Sequence, residues 1–217
     1  MAAMADGARQ EPRWPASLAV VVALVLYLLL PRALTLGPNW LIPVLEGALV
    51  VFLTIRAPRR HPAEGRLIRV ASESLLALVL LATFGSLGLL VRLVLSGGAV
   101  TGQQLIISGI QIWGTLMLGF ALLYWELDRG GPQQRGHPEE GAPDFLFTQM
   151  SNPELTPAGW MPGFVDYLFL AFTNATAFSP TDTMPLTTRA KLLMLLESSG
   201  SIVTIVMVAG RAVNILK

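Results

Sequence analysis

The chain has 217 residues, of which 53% are apolar and only 13% charged, and its mean hydropathy is +0.59. A water-soluble domain of this size rarely carries that balance. A net charge of +1 offers no basic footprint for nucleic acid, and the absence of cysteine excludes disulfides, thiolate chemistry and cysteine-ligated metals. The expectation is an all-α protein that crosses the cell membrane several times, with the lipid bilayer as its solvent.

After a tail of residues 1–13, the first apolar run extends from Trp14 to Leu30 and ends at Pro31-Arg32. It is longer than an ordinary signal-peptide core and no clean cleavage site follows, so it reads as a retained helix. A second run, Trp40 to Ile55, is short and interrupted by Pro43 and Glu46. The third covers about Val70 to Leu95 and the fourth about Gln104 to Trp125. Runs near twenty residues suffice to cross about 30 Å of hydrocarbon. Residues 14–125 are thus a four-helix transmembrane region. Trp14, Trp40, Tyr124 and Trp125 stand at span ends, where amphipathic rings favour the headgroup layer.

Residues 126–162 are rich in Pro, Gly, Gln and acidic side chains without helical or strand period, which predicts an exposed hydrophilic loop. Residues 163–178, GFVDYLFLAFTNATAF, turn apolar again but carry Asp166 and Asn174. Sixteen residues with two polar side chains make a poor spanning helix. They better suit a half-helix that enters the membrane and turns back at Ser179-Pro180-Thr181-Asp182, where Pro180 blocks continuation. The last helix begins near Lys191 and runs to Leu216. The fold class expected is five transmembrane helices plus one re-entrant half-helix and loop, with residues 163–217 forming the hairpin.

Arg56, Arg59, Arg60, Arg66 and Arg69 crowd one short loop, while residues 96–103 carry no charge. The positive-inside rule puts the 56–69 loop and the N-terminus in the cytoplasm, and with them the 126–162 loop.

The run from Tyr167 to Lys191, YLFLAFTNATAFSPTDTMPLTTRAK, resembles the pore segment of a potassium channel. In such channels a short apolar helix leads into Thr-Val-Gly-Tyr-Gly-Asp, followed by a Pro, a Thr and a Lys at set spacings. Here Pro185, Thr187 and Lys191 keep those spacings. The filter-equivalent residues are Thr176, Ala177, Phe178, Ser179, Pro180, Thr181 and Asp182, without the glycines. The chain is also similar to bacterial multi-pass inner-membrane proteins of unassigned function built from four helices and a degenerate pore hairpin. These resemblances imply a channel-like homo-oligomer, a tetramer by analogy, with monovalent cations as partners. Potassium-channel pore loops dip in from outside, which conflicts with the cytoplasmic side assigned to 126–162.

A potassium filter stacks backbone carbonyls in conformations that glycine tolerates. With Ser179 and Thr181 in the glycine places and Pro180 in the aromatic one, the expected function is a pore-loop protein that is weakly selective or non-conducting. The alternative is a structural or assembly subunit without transport. Asp182 is expected either to cap the approach to the last helix, accepting from Met184 or Leu186, or to form a ring of carboxylates at a pore mouth.

Two further sets of residues stand out. Glu46 and Arg92 fall in the same half of the bilayer and suit an intramembrane pair; the alternative is Arg92 snorkelling alone, with Glu46 neutral. Glu197, Gly200, Thr204 and Arg211 share one face of the last helix, suited to a water path or to close helix packing. His61 and His137 lie in similar Pro/Gly-flanked loops too loose for a metal site. With no nucleophile–base pair, phosphate loop or cofactor fingerprint, neither an enzyme, a cofactor nor a bound metal is expected.

Overall fold

The computed structural model describes residues 14–37, 40, 44, 62–97, 101–132, 134–135, 141–176 and 183–215. In chain order these form helix α1 (Trp14–Leu28), α2 (Pro62–Leu95), α3 (Gly102–Leu127), strand β1 (Phe145–Phe147), a single-turn helix α4 (Thr148–Ser151), α5 (Phe164–Ala175), strand β2 (Thr183–Pro185) and α6 (Thr188–Ile215). Short 3-10 turns occupy Arg32–Leu34, Asp128–Gly130 and Pro153–Leu155. The fold is mostly helical, and three segments are long and apolar enough to cross a membrane: Ser72–Leu95, Gly102–Gly130 and Thr188–Arg211. The second run expected at residues 40–55 lies almost wholly outside the described residues.

α2 begins at Pro62, well before its apolar run, so part of the arginine-rich stretch expected as loop is helical. Hydropathy reads only the part of a helix that needs an apolar solvent. At 34 residues α2 is about 50 Å long, more than the hydrocarbon requires. Gly97, at φ +67°, takes the left-handed conformation that closes the helix. Thr101 then starts α3 with a capping box: its hydroxyl accepts from the Gln104 amide at 3.2 Å, and the Gln104 side chain accepts from the Thr101 amide at 3.3 Å.

α3 is the axis of the bundle and packs against α1, α2, α5 and α6. Leu118 to Trp125 is buried without interruption, because neighbours cover every face of the helix there. Glycine lets the closest of them in: a Cβ on Gly119 would lie 2.8 Å from Leu80 Cδ2 of α2.

The directions of α5 and α6 follow from their contacts with α3. Phe164 packs edge-on against Trp125 at 6.0 Å, and Phe172, two turns later, packs edge-on against Trp113 at 6.1 Å, so α5 runs antiparallel to α3. Arg189 of α6 reaches Leu127 O, Ser201 meets Trp113, and Val208 lies against Gly109, so α6 is antiparallel to α3 as well. α5 and α6 therefore run parallel and start at the same end of the bundle. Between them the chain comes back to that end, where β2 pairs with β1 in antiparallel register: Phe145 with Pro185, Leu146 with Met184, Phe147 with Thr183. At 12 residues α5 reaches only about 18 Å into the bundle.

The segment 126–162, expected as an exposed loop, is in part docked. Phe145 and Phe147 are buried and join a file of edge-on rings in which Tyr124 meets Phe145 at 5.1 Å and Phe147 meets Tyr167 at 5.2 Å. Three residues are too few to show strand alternation, so the sequence hides this element.

Candidate functional site

α6 is amphipathic in reverse. Ala190, Met194, Glu197, Ser201 and Thr204, spaced four, three, four and three apart, form its buried stripe. Leu192, Leu195, Leu196, Ile202 and Val206 point outward. Glu197, Ser201 and Thr204 turn in while large apolar side chains face out, an arrangement that suits an apolar solvent.

At the centre of the stripe Glu197 is wholly buried. Its Oε2 accepts from the Tyr124 hydroxyl of α3 at 2.7 Å and from the Asn174 amide of α5 at 2.6 Å. The same Asn174 amide donates to Met194 O at 3.0 Å, while Asn174 Oδ1 accepts from the Ser198 hydroxyl at 2.9 Å. One turn further along α6, the Ser201 hydroxyl donates to Ala175 O and accepts from Trp113 Nε1, the latter at 2.7 Å. The end of α5 is thus pinned to α6 by polar side chains inside the helix bundle, where each bond satisfies a group that burial would otherwise leave unpaired. Among the described residues Glu197 Oε1 has no hydrogen-bond partner.

A second polar cluster closes the end of the bundle where α5 and α6 begin. Asp128, fully buried after α3, accepts from the Tyr167 hydroxyl at 2.6 Å and from the Asp144 amide at 2.7 Å. Asp144 in turn accepts from Thr187 and forms an ion pair with Arg189. The Arg135 guanidinium lies 5.0 Å from the Tyr167 ring centre and donates to Trp125 O at 2.7 Å. Residues 126–147, α5 and the start of α6 are held together here.

These contacts place the residues singled out from the sequence. Thr176 caps the end of α5, its amide bonding Phe172 O at 3.0 Å and its hydroxyl Phe172 O at 2.9 Å. Ala177, Phe178, Ser179, Pro180, Thr181 and Asp182 lie outside the described residues. The capping partners expected for Asp182 are engaged otherwise: the Leu186 amide donates to Asp144 O at 2.8 Å, and Met184 pairs with Leu146. The cap of α6 is Thr187, whose hydroxyl accepts from the Ala190 amide at 3.2 Å. Glu197, Gly200 and Thr204 do share one buried face, and it packs within the chain: a Cβ on Gly200 would lie 2.7 Å from Phe84 and 3.0 Å from Leu116. Arg211, two turns beyond Thr204 on the same face, is exposed. Arg92 is exposed on α2, and Glu46, His61 and His137 lie outside the described residues.

Tyr124, Asn174, Tyr167, Asp128 and Asp144 are the residues that sequence reasoning missed as partners. A usable signal existed for one pair: Asn174 and Glu197 are polar residues in neighbouring apolar segments, and each needs a partner in lipid. No known protein family, curated protein or solved structure matches the chain.

Proposed function

We propose that the chain is a pore-loop-type protein of the cell membrane, with five crossings and a re-entrant hairpin, that conducts monovalent cations weakly or not at all. α5 is the half-helix, and it enters from the side of the arginine-rich stretch, which the positive-inside rule makes cytoplasmic. This orientation removes the conflict between the two sequence signals: the hairpin is of pore-loop kind but inverted relative to a potassium channel. As in those channels, copies of the chain assemble through the apolar outer faces, α5 offering Val165, Phe169 and Phe172 and α6 offering Leu195 and Val206.

The observation that carries weak conduction is the direction of the α6 stripe. Glu197, Ser201 and Thr204, the groups that would wet a pore, are turned into the chain's own core and bonded there. A filter also needs backbone carbonyls free to face an axis. Pro180, and Ser179 constrained before it, work against that geometry. A second reading, a membrane scaffold with no transport, is favoured by the clamp of Asp128, Tyr167, Asp144 and Arg189, which makes the hairpin a packed element.

Purified protein in liposomes, with potassium and sodium on opposite sides, tests the proposal. The expected result is no current, or a reversal potential near zero. A reversal potential close to the ideal potassium value would refute it. Current that Asp182→Asn reduces would favour a conducting hairpin over the scaffold.

A further inference from the structure

We propose that Glu197 Oε1 binds one small monovalent cation, a proton or an alkali-metal ion, inside the helix bundle. The inference concerns occupancy of a site and does not depend on whether ions cross the membrane.

It starts from an asymmetry within one carboxyl group. Among the described residues the two donors that reach Glu197, Tyr124 Oη and Asn174 Nδ2, both go to Oε2, while Oε1, on a side chain with no exposed surface, has no hydrogen-bond partner. Two hydrogen bonds to one oxygen do not offset a bare charge at this depth. Glu197 is the tenth residue of α6, about 14 Å along a helix whose apolar span is 24 residues long, far from either headgroup layer. Buried carboxyls persist only when neutralised by a proton, a cationic side chain or a metal.

Among the described residues no cationic side chain does this. α3 presents Tyr124, and α5 presents Asn174, its own Asp166 and Tyr167 lying about two turns away. α2 presents Phe84 to this face, and β2 has no titratable residue. On α6 itself Arg189 is two turns away and engaged by Asp144, Lys191 is exposed, and Arg211 is almost four turns away.

The end of α5 adds attraction of the right sign. Asn174 O and Ala175 O accept from Ser198 and Ser201, one and four residues beyond Glu197 on α6, so the carbonyl end of a helix lies within one turn of that carboxyl. That end carries partial negative charge. A carboxylate and a helix C-terminus converging with no cationic side chain among the described residues define a cation site, and the Asn174 amide that donates to Oε2 carries a second oxygen, Oδ1.

Infrared difference spectra of wild type against Glu197→Gln in bilayers, at neutral pH, test this. Gln keeps an acceptor oxygen for Tyr124 and Asn174. If a proton fills the site, the wild type shows one carboxylic-acid C=O band that the variant lacks, among 14 acidic side chains in all. Raising the pH then converts that band to carboxylate. If an alkali ion fills it, the wild-type carboxylate bands shift when sodium is exchanged for potassium or for a bulky organic cation. Carboxylate bands insensitive to both pH and cation would overturn the proposal. Should Glu197→Gln fail to fold, Tyr124→Phe replaces it: losing a donor to Oε2 must move the same carboxyl band, and a band that stays put overturns the assignment.

Discussion

Asn174 ties the deep end of α5 to α6, because three polar contacts of its side chain cross between the two helices. Its amide serves Glu197 and Met194 O, and its carbonyl serves Ser198. Asn174→Leu keeps the volume but strands several partners, a loss of about 1–3 kcal/mol. Equilibrium unfolding in mild detergent should show that loss; a change within about 0.5 kcal/mol, the size of an ordinary surface effect, would mean the contacts are not formed. Gly200 makes a separate prediction by sterics alone. Alanine there places a methyl 2.7 Å from Phe84 and 3.0 Å from Leu116. Both neighbours are side-chain ends, so they yield, at about 1–3 kcal/mol. An unchanged or raised melting temperature for Gly200→Ala would show that α6 does not lie this close to α2 and α3.

Among the elements, the hairpin is fixed at both ends by different chemistry: neutral hydrogen bonds and one carboxyl at its deep end, an ion pair and aromatic rings at its mouth. The two partners of the ion pair should not respond alike. Arg189 has a half-exposed side chain, so its removal costs under about 1 kcal/mol. Asp144 is buried and also accepts from Thr187, so Asp144→Ala should cost more, about 1–3 kcal/mol, and should speed protease cleavage within residues 126–162. Equal effects of the two substitutions would contradict this ranking. The long helices were legible because run length and hydropathy are local properties, and α3 and α6 fall within a few residues of the runs read from the sequence. The mouth was not legible. Phe145-Leu146-Phe147 is too short for a period, and Asp128 and Asp144 look like ordinary loop acids until Tyr167 and Arg189 are brought to them by the fold. Tyr124 reads as a headgroup anchor by position, yet Glu197, more than seventy residues away, draws its hydroxyl inward.

For the molecule as a whole, the central claim is that residues 163–185 enter and leave on one side. The ends of α5 and α6 that meet at β1 and β2 make this claim concrete, and the chain is well suited to testing it. It contains no cysteine, so single cysteines can be placed without background. Leu155 is 82% exposed before α5, and Met184 is 59% exposed after the turn. Leu155→Cys and Met184→Cys, together with Lys217→Cys, can be probed in intact cells with a membrane-impermeant thiol reagent. The account predicts that the cysteines at 155 and 184 are protected until the membrane is opened, while the one at 217 reacts from outside. Labelling of 155 and 184 from opposite sides would mean that residues 163–178 cross the membrane completely, and would contradict the re-entrant hairpin.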